Sequence, residues 1–228
     1  MTEMFEKLMG LPLFQGASRD KLKELVEKIP FHFLKYEAGD VLLSPGEKCT
    51  HIKFVVSGSV EMKTDFSNYR VGLLQTINSP GVIGPEFMFG RKTIYPYTCV
   101  AKEACGILQI KKADYVDILM KDKVFLFNML NYLSRNAQKS TLLVQNHNGG
   151  IAKDVLALVS LMLTTADSDD IKLNYRQKDL CAMLGISRLS LKNHLDELVE
   201  LGAIAYSAGN ISVLNRKLLL THLGFKEV

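Results

Sequence analysis

DLCAMLGISRLSLKNHLDELVELG, residues 179–202, is the stretch that decides the fold of the C-terminal part of this chain. It predicts two short helices joined by a tight turn at Gly185. Ser187 is a favourable N-cap for the second helix, and the leucines of both helices fall on one inner face. These leucines are Leu180, Leu184, Leu191, Leu195 and Leu198. Cys181 lies where the helices must approach closely, so a small side chain fits there.

The outer face of the second helix is polar at its start. Arg188, Ser190, Lys192 and Asn193 point away from the leucines, and such side chains can donate to base edges and phosphates in a major groove. The pattern therefore favours a DNA-binding helix-turn-helix. An ordinary helical hairpin, or one used for protein–protein contacts, is the alternative.

A predicted β-hairpin follows the two helices. Ile204-Ala205-Tyr206 and residues 211–214 are strand-like runs separated by Gly209-Asn210. A helix-turn-helix followed by a hairpin is a winged helix, and this pairing is more specific than either half. Upstream, residues 151–163 predict a supporting helix, and a polar turn at 167–170 precedes Ile171-Lys172-Leu173.

Composition limits the class of protein. The chain has 228 residues, enough for two domains, and 47% of them are hydrophobic, so global disorder is excluded. No apolar run is long enough to cross a bilayer, and the N-terminus lacks a signal-peptide layout, so we expect a cytoplasmic protein without membrane contact. The net charge of +4 is mild, so DNA binding requires a local basic surface.

The four cysteines do not predict a metal site. They are spread along the chain without CxxC spacing or clustering with histidine, so we expect reduced, buried thiols and no bound metal. They are Cys49, Cys99, Cys105 and Cys181.

The N-terminal half has the pattern of a β-barrel. Ser18 is expected to cap a short amphipathic helix, and residues 31–110 then alternate short β-prone runs with glycines. A helix-compatible break interrupts these runs at residues 85–89. This pattern suits a small antiparallel barrel or jelly roll.

Residues 114–144 predict a long helix with one continuous apolar stripe. The stripe consists of Leu126, Leu130, Leu133, Ala137, Thr141 and Val144. A symmetric homodimer through this stripe is favoured over a core helix, since residues 146–150 (NHNGG) follow as a hinge. The predicted organisation is a β-barrel domain at residues 1–120, a dimerisation helix and hinge at 121–148, and a winged helix at 149–228.

These pieces, in this order, resemble the CRP/FNR family of bacterial transcription regulators. AGDVLLSPGEKCTHIKFVVSGSVEM, residues 38–62, is similar to the family's opening barrel strands, and ISRLSLKNHLDELVELGAI, residues 186–204, to its recognition helix and wing. The resemblance implies an α+β homodimer with an N-terminal antiparallel jelly-roll barrel of the cyclic-nucleotide-binding type, a long dimerisation helix and a C-terminal winged helix-turn-helix. It also implies binding to a near-palindromic duplex, and to RNA polymerase if the protein is an activator.

The effector cassette departs from the family pattern. In GVIGPEFMFGRKTIYPYTCVAKEACGILQI, residues 81–110, Gly84 matches, but Pro85 replaces the ribose-binding glutamate and Glu86 is displaced by one residue. Tyr95 and Pro96 stand where the phosphate-binding arginine and the following hydroxyl residue are expected. A buried phosphate without its arginine is poorly compensated, so we predict that cyclic AMP is not the physiological effector.

The residues around the degenerate cassette are mainly apolar and aromatic. The candidate pocket residues are Met62, Gly84, Glu86, Phe87, Met88, Tyr95 and Tyr97. Three alternatives stay open: the side chains fill the barrel, the barrel binds an unknown apolar or aromatic effector, or it binds haem through His32, His51, His147 or a methionine.

The resemblance also assigns roles on the DNA side. Arg188 matches the recognition-helix arginine and is the candidate contact to a guanine, while Asn193 is suited to adenine. By residue type and position, Ser187, Ser190 and Lys192 are the candidates for phosphate contacts. Arg176 and Lys178, near the start of the first helix, are further candidates, with solvated surface charge as the default alternative. The competing classes are a cyclic-nucleotide-binding regulatory protein without DNA readout and an enzyme. No phosphate-binding loop, zinc-protease motif or nucleophile elbow supports an enzyme.

Overall fold

The computed structural model of the chain describes residues 2–65, 69–145 and 170–222, and they form two compact units. The first unit comprises Met1–Met62 and Ile77–Arg135, and the second comprises Lys63–Thr76 and Asn136–Val228. The predicted helix at 151–163, the polar turn up to residue 169 and the hinge at 146–150 lie outside the described residues.

The first unit begins with two helices, α1 (Thr2–Gly10) and α2 (Arg19–Lys28). As predicted, Ser18 caps α2, and its hydroxyl accepts a hydrogen bond from the backbone N–H of Lys21 at 3.4 Å. Eight strands follow in the described part of the chain, and residues 71–76 of the fifth belong to the second unit. The strands are β1 (His32–Tyr36), β2 (Val41–Leu43), β3 (His51–Ser57), β4 (Ser59–Asp65), β5 (Val71–Asn78), β6 (Gly81–Ile83), β7 (Thr98–Ala101) and β8 (Cys105–Lys111).

The strands of this unit form antiparallel layers. One layer has the order β1-β8-β3-β6, and β4, β7 and β2 are neighbours in the other. β8 is central in the first layer, pairing His32↔Gln109 with β1 and Phe54↔Leu108 with β3. The predicted antiparallel barrel is therefore confirmed, and the expected break between β6 and β7 contains a 3-10 helix at Pro85–Phe87.

The core of the first unit is centred on edge-to-face aromatic contacts. The ring of Phe14 lies 5.2 Å from that of Phe54 and 5.3 Å from that of Phe125. All three side chains are fully buried. Such pairs stabilise a core by about 1 kcal/mol beyond the area that they bury, so the segment before α2 and the helix that holds Phe125 are packed onto the barrel.

The predicted long helical segment is divided into α3 (Lys112–Lys121) and α4 (Lys123–Gln145). Asp122 adopts an extended backbone between them. Its carboxylate accepts a hydrogen bond from the backbone N–H of Val124 at 2.8 Å and forms an ion pair with Lys21. Aspartate at this place satisfies a donor of the first turn of α4, so it starts a new helix rather than continuing the first.

The second unit contains the C-terminal elements. They are β9 (Ile171–Tyr175), α5 (Gln177–Leu184), α6 (Arg188–Glu200), β10 (Ile204–Ser207), β11 (Asn210–Val213) and α7 (Arg216–His222). Gly185 ends α5 in the left-handed conformation, with φ 70°, and Ser187 caps α6 by accepting from the N–H of Ser190 at 3.0 Å. The helix-turn-helix and its hairpin are thus confirmed.

The leucines of these helices form the core of the second unit. Leu180, Leu191, Leu195 and Leu198 are buried against β10 and β11, and Leu184 is half-buried. None of the helices in the described part of the chain is both long and apolar enough to cross a membrane.

The sheet of the second unit has an unforeseen fourth strand. Its order is β10-β11-β9-β5, and β5 pairs antiparallel with β9 from Val71↔Tyr175 to Gln75↔Ile171. The buried apolar side chains of β5, Val71 and Leu73, join the leucine core. Residues 71–76 of β5 therefore pack with the C-terminal elements, although the sequence reads as one run of barrel strands.

Candidate functional site

The exposed face of α6 carries the predicted DNA-contacting residues. Arg188, Lys192 and Asn193 are exposed, whereas Leu191 and Leu195 on the opposite face are buried. Ser190 is half-buried, with its hydroxyl 3.2 Å from Nε2 of His194. One helix thus separates an apolar side that packs from a polar side that is free to contact a partner.

The cations near this face are not paired with carboxylates of the described residues. Arg176 precedes α5, Lys178 lies in its first turn, and both side chains are exposed. Within the described ranges, no ion pair joins a carboxylate to Arg176, Lys178, Arg188 or Lys192. Solvated cations without fixed counter-charges are available to phosphates.

One exposed residue of this face is apolar and was not among the predicted DNA contacts. Leu189 has 69% of its surface exposed at the start of α6, beside Arg188. An exposed leucine at a helix start can make an apolar contact with a thymine methyl group. The sequence could have shown this, because Leu189 does not share the helical spacing of the buried Leu191, Leu195 and Leu198.

The effector cassette is a buried cluster of aromatic rings. The ring centre of Phe87 lies 5.9 Å from that of Tyr95 and 5.8 Å from that of Tyr97. The two tyrosine rings are 5.7 Å apart. Tyr95 and Tyr97 are buried and Phe87 is half-buried. We call these three rings the aromatic cluster; they pack against one another at the position of the family's effector cassette.

Gly84 is required by this packing. It has a left-handed backbone with φ 52°, and a Cβ added there would lie 2.1 Å from the hydroxyl oxygen of Tyr97. A side chain at this position would clash with the buried tyrosine. The Tyr97 hydroxyl is itself buried and has no hydrogen-bond partner among the described residues, and burial strongly raises its pKa.

Two residues that the sequence analysis did not assign to the cassette contact Tyr95. Its hydroxyl donates to Sγ of Cys49 at 2.9 Å, and Nζ of Lys53 lies 5.6 Å from the centre of its ring. Lys53 is buried, with Oε1 of Glu47 at 4.0 Å, and desolvation lowers the pKa of its ammonium group. The sequence gives one indication of this role, because Lys53 is the single charged residue in the strand run IKFVV, residues 52–56.

The other predicted pocket residues divide between the interior and the surface. Met62 on β4 and Met88 after the 3-10 helix are buried. Glu86 keeps an exposed surface, although the protein packed around its carboxyl raises its pKa. The displaced glutamate is therefore at the edge of the cassette, whereas the methionines belong to its apolar lining.

The described residues do not bring the candidate haem and metal ligands together. His32 is exposed on β1, and Nδ1 of His51 is 2.9 Å from the hydroxyl of Thr50. His147 lies outside the described residues. All four cysteines are free and buried, and no group of three metal-ligating side chains occurs in the part of the chain that the structure describes.

The predicted dimerisation stripe is partly exposed. On α4, Leu126 and Leu130 are 36% and 47% exposed, and the neighbouring Phe127 is 57% exposed. Leu133 packs against the core, whereas Ala137 is exposed. The side chains of Thr141 and Val144 lie outside the described residues. The described part of α4 thus leaves large apolar side chains uncovered in one chain.

Comparison with known proteins identifies the class. Residues 33–122 match the model of the cyclic nucleotide-binding domain, and residues 156–221 match the Crp-like helix-turn-helix domain. The protein is a DNA-binding transcription regulator with an effector-binding domain. It belongs to the CRP/FNR family.

Its relatives are distant but extend over most of the chain. The cAMP-activated global transcriptional regulator Vfr of Pseudomonas aeruginosa is 21% identical, over 81% of this chain and 90% of that protein. The cyclic AMP receptor protein of Thermus thermophilus is 22% identical, over 93% and 96%. The crystal structure of the Thermus thermophilus catabolite activator protein has a TM-score of 0.50 at 20% identity, covering 91% of this chain and 96% of that one. This likeness confirms the fold.

Proposed function

We propose that this chain is a cytoplasmic, homodimeric and sequence-specific transcription regulator that places α6 in the major groove of a near-palindromic operator. The observation that carries the proposal is the exposed face of α6. Arg188, Lys192 and Asn193 lie on this face, and the leucines on the opposite side of the helix are buried and fix its orientation in the second unit. Arg188 contacts a guanine and Asn193 an adenine, while Lys192 and the serines contact phosphates.

The homodimer is supported by α4. Leu126, Phe127 and Leu130 are exposed together within two turns, and large apolar side chains clustered on one helix face favour association with an identical face. A symmetric pair of chains presents two recognition helices, which explains why a near-palindromic duplex is the expected partner. RNA polymerase is a further partner if the protein is an activator.

We further propose that the regulator responds to a small molecule other than cyclic AMP. The aromatic cluster occupies the cassette, and Tyr95 stands where the family's phosphate-binding arginine is expected. Tyrosine offers no positive charge to a cyclic phosphate, and Pro85 has no backbone N–H to donate. An apolar or aromatic effector, which would have to displace these rings, fits the lining better.

The DNA-binding proposal is tested with duplexes selected from a randomised pool by the full-length protein. We expect a two-fold symmetric consensus, with affinity that falls steeply as salt increases. Sedimentation at micromolar concentration should give a dimer. Selection of no consensus, or binding by a monomer to a single half-site, would contradict the proposal.

The effector proposal is tested by thermal unfolding with cyclic AMP. A ligand present at 100 times its Kd stabilises the folded state by about 2.7 kcal/mol, which raises Tm by several degrees. We expect no change in Tm or in operator affinity with millimolar cyclic AMP. The cyclic AMP receptor protein of Thermus thermophilus serves as the comparison under the same conditions.

A further inference from the structure

Arg70 lies beside the start of the helix-turn-helix, although it is more than 100 residues away in sequence. The backbone N–H of Arg176 donates to the carbonyl of Arg70 at 2.9 Å. The N–H of Arg70 is 3.4 Å from Oδ2 of Asp179 in the first turn of α5. Residue 70 is thus connected on both sides to the segment that begins the helix-turn-helix.

Strand pairing fixes this position. The five residue pairs between β5 and β9 begin with Val71↔Tyr175, directly next to Arg70 and Arg176. At the far end of the pairing, the hydroxyl of Thr76 donates to Oδ2 of Asp170 at 2.8 Å. Since a shift of one residue would reverse every side chain of β5, including the buried Val71 and Leu73, the register is strongly specified.

The turn of the wing reaches the same place. The N–H of Tyr175 donates to the carbonyl of Gly209, the glycine between β10 and β11, at 2.8 Å. An open groove of about 540 Å³ is lined by both Arg70 and Arg176 and by Gly209. The start of β5, the start of the helix-turn-helix and the wing turn therefore border one groove, which we call the flanking groove.

The flanking groove is cationic. Arg70 and Arg176 are exposed, and neither forms an ion pair with any carboxylate of the described residues. Lys63 also lines it and is paired with Asp65 at 3.3 Å. Two uncompensated guanidiniums at adjacent backbone positions suit an anion with spaced phosphate oxygens, because each can donate two parallel hydrogen bonds.

We propose that Arg70, together with Arg176, contacts the sugar–phosphate backbone of DNA beside the major-groove site. This inference rests on the proposed DNA-binding function and extends the interface to a segment outside the winged helix. A duplex is the occupant because the groove is open and cationic and is bordered by the wing turn and the start of the helix-turn-helix, the elements that approach DNA in winged helices. Backbone contacts position the protein and carry little sequence information.

The test compares Arg70→Ala with Lys23→Ala, an exposed cation on α2 of the first unit. Affinity is measured by fluorescence anisotropy from low to high salt, on the duplex selected by the wild type and on a scrambled duplex. Arg70→Ala removes one phosphate contact from each chain of the dimer, so the slope of log K against log salt should fall by about 1.8, or about 0.9 for each contact. We expect weaker binding of both duplexes by Arg70→Ala, an unchanged ratio between them, and no effect of Lys23→Ala.

Two further variants separate charge from folding. Arg70→Lys keeps the charge and should retain most of the wild-type slope, whereas Arg70→Gln should behave like Arg70→Ala. The backbone hydrogen bonds of residue 70 are available in all of these variants, so thermal unfolding should be unchanged. If Arg70→Ala lowers Tm, the test uses Arg70→Lys and Arg70→Gln instead. The difference between their salt slopes then shows whether the charge of residue 70 contacts DNA.

Several results would overturn the inference. Equal salt slopes for the wild type and Arg70→Ala would show that Arg70 does not contact DNA. A changed ratio between the affinities for the selected and the scrambled duplex would show that Arg70 contacts a base rather than the backbone. If inorganic phosphate stabilises the wild type but not Arg70→Ala, and the two proteins have the same salt slope for DNA, the groove binds a small anion and not DNA. If the wild type itself selects no duplex, the proposed function fails, and that outcome is distinct from failure at Arg70 alone.

Discussion

The aromatic cluster and the exposed face of α6 carry the two sets of predicted functional residues, and they differ in how their polar groups are satisfied. In the cluster, the Tyr95 hydroxyl donates to Cys49, and Lys53 lies against the tyrosine ring. On α6, Arg188 and Lys192 are exposed and have no ion-pair partner in the described part of the chain. In the cluster, only the buried Tyr97 hydroxyl is without a partner among the described residues, whereas the cations of α6 have no described counter-charge at all.

This difference indicates where binding energy is available. Polar groups that already have protein partners gain little from a ligand, because the ligand must replace existing contacts. Solvated cations lose only water and counterions when they meet phosphates. We therefore expect changes in the cluster to affect folding and changes on α6 to affect DNA binding. The following predictions test this division, from the largest expected effect to the smallest.

Tyr95→Ala should cause the largest loss of stability. It removes a fully buried ring and leaves a cavity beside Phe87 and Tyr97, and such truncations cost about 3–5 kcal/mol. Urea unfolding measures the change. Phe33→Ala, which truncates a half-exposed ring on β1, is the matched control and should cost less than about 1 kcal/mol. Equal losses for the two variants would show that the cluster is loosely packed.

Arg188→Ala should leave stability unchanged and weaken operator binding by about 1–3 kcal/mol, roughly 5-fold to 150-fold, with relaxed selection at one base pair. Lys178→Ala is the comparison, since a phosphate contact is expected to weaken all duplexes alike. Selection from a randomised pool by both variants measures the effect. An unchanged consensus for Arg188→Ala would contradict its assignment as a base contact.

The first unit should lose stability at alkaline pH in a way that depends on Cys99. Burial raises the pKa of this thiol from 9.0 to about 12, so the folded state keeps a proton that the unfolded state releases. The resulting stability is complete below pH 9 and falls by up to about 1.4 kcal/mol per pH unit as the pH rises towards 12. Urea unfolding from pH 8 to 11 should show a shallower decline for Cys99→Ala. Parallel declines would contradict the burial argument.

Tyr95→Phe and Tyr97→Phe form the most sensitive pair. The Tyr95 hydroxyl donates to Cys49, so its removal should cost about 1 kcal/mol. The Tyr97 hydroxyl is buried without a described partner, so its removal should be neutral or slightly stabilising. Thermal unfolding distinguishes the two variants. The opposite order would show that Tyr97 has a partner in solution, such as a buried water or an effector.

Much of the second unit could be predicted because its signals are local. Gly185 provides the left-handed turn, Ser187 the N-cap, and leucines at helical spacing the buried face. Each of these features acts within a few residues, so the sequence shows it directly. The exposure of Arg188 follows from the same spacing, because a helix with one buried side must expose the other.

The division between α3 and α4 was missed because helical periodicity continues through Asp122. The ion pair between Asp122 and Lys21 joins residues that are distant in the chain. The same limit applies to the cassette. Its departure from the family pattern could be seen in the sequence, but the contacts of Cys49 and Lys53 with Tyr95 depend on how separate strands are arranged in the barrel.

The sequence by itself determined the winged helix, the antiparallel barrel and the outward position of the predicted DNA-contacting residues, because caps, turns and periodicity act over short distances. Only the tertiary structure decided that the tyrosines close on Gly84 and that β5 joins the winged-helix sheet. Strand pairing between segments 100 residues apart has no local signal. β5 pairs with β9 because this pairing buries Val71 and Leu73 in the core of the second unit. That core is formed by residues distant in the chain.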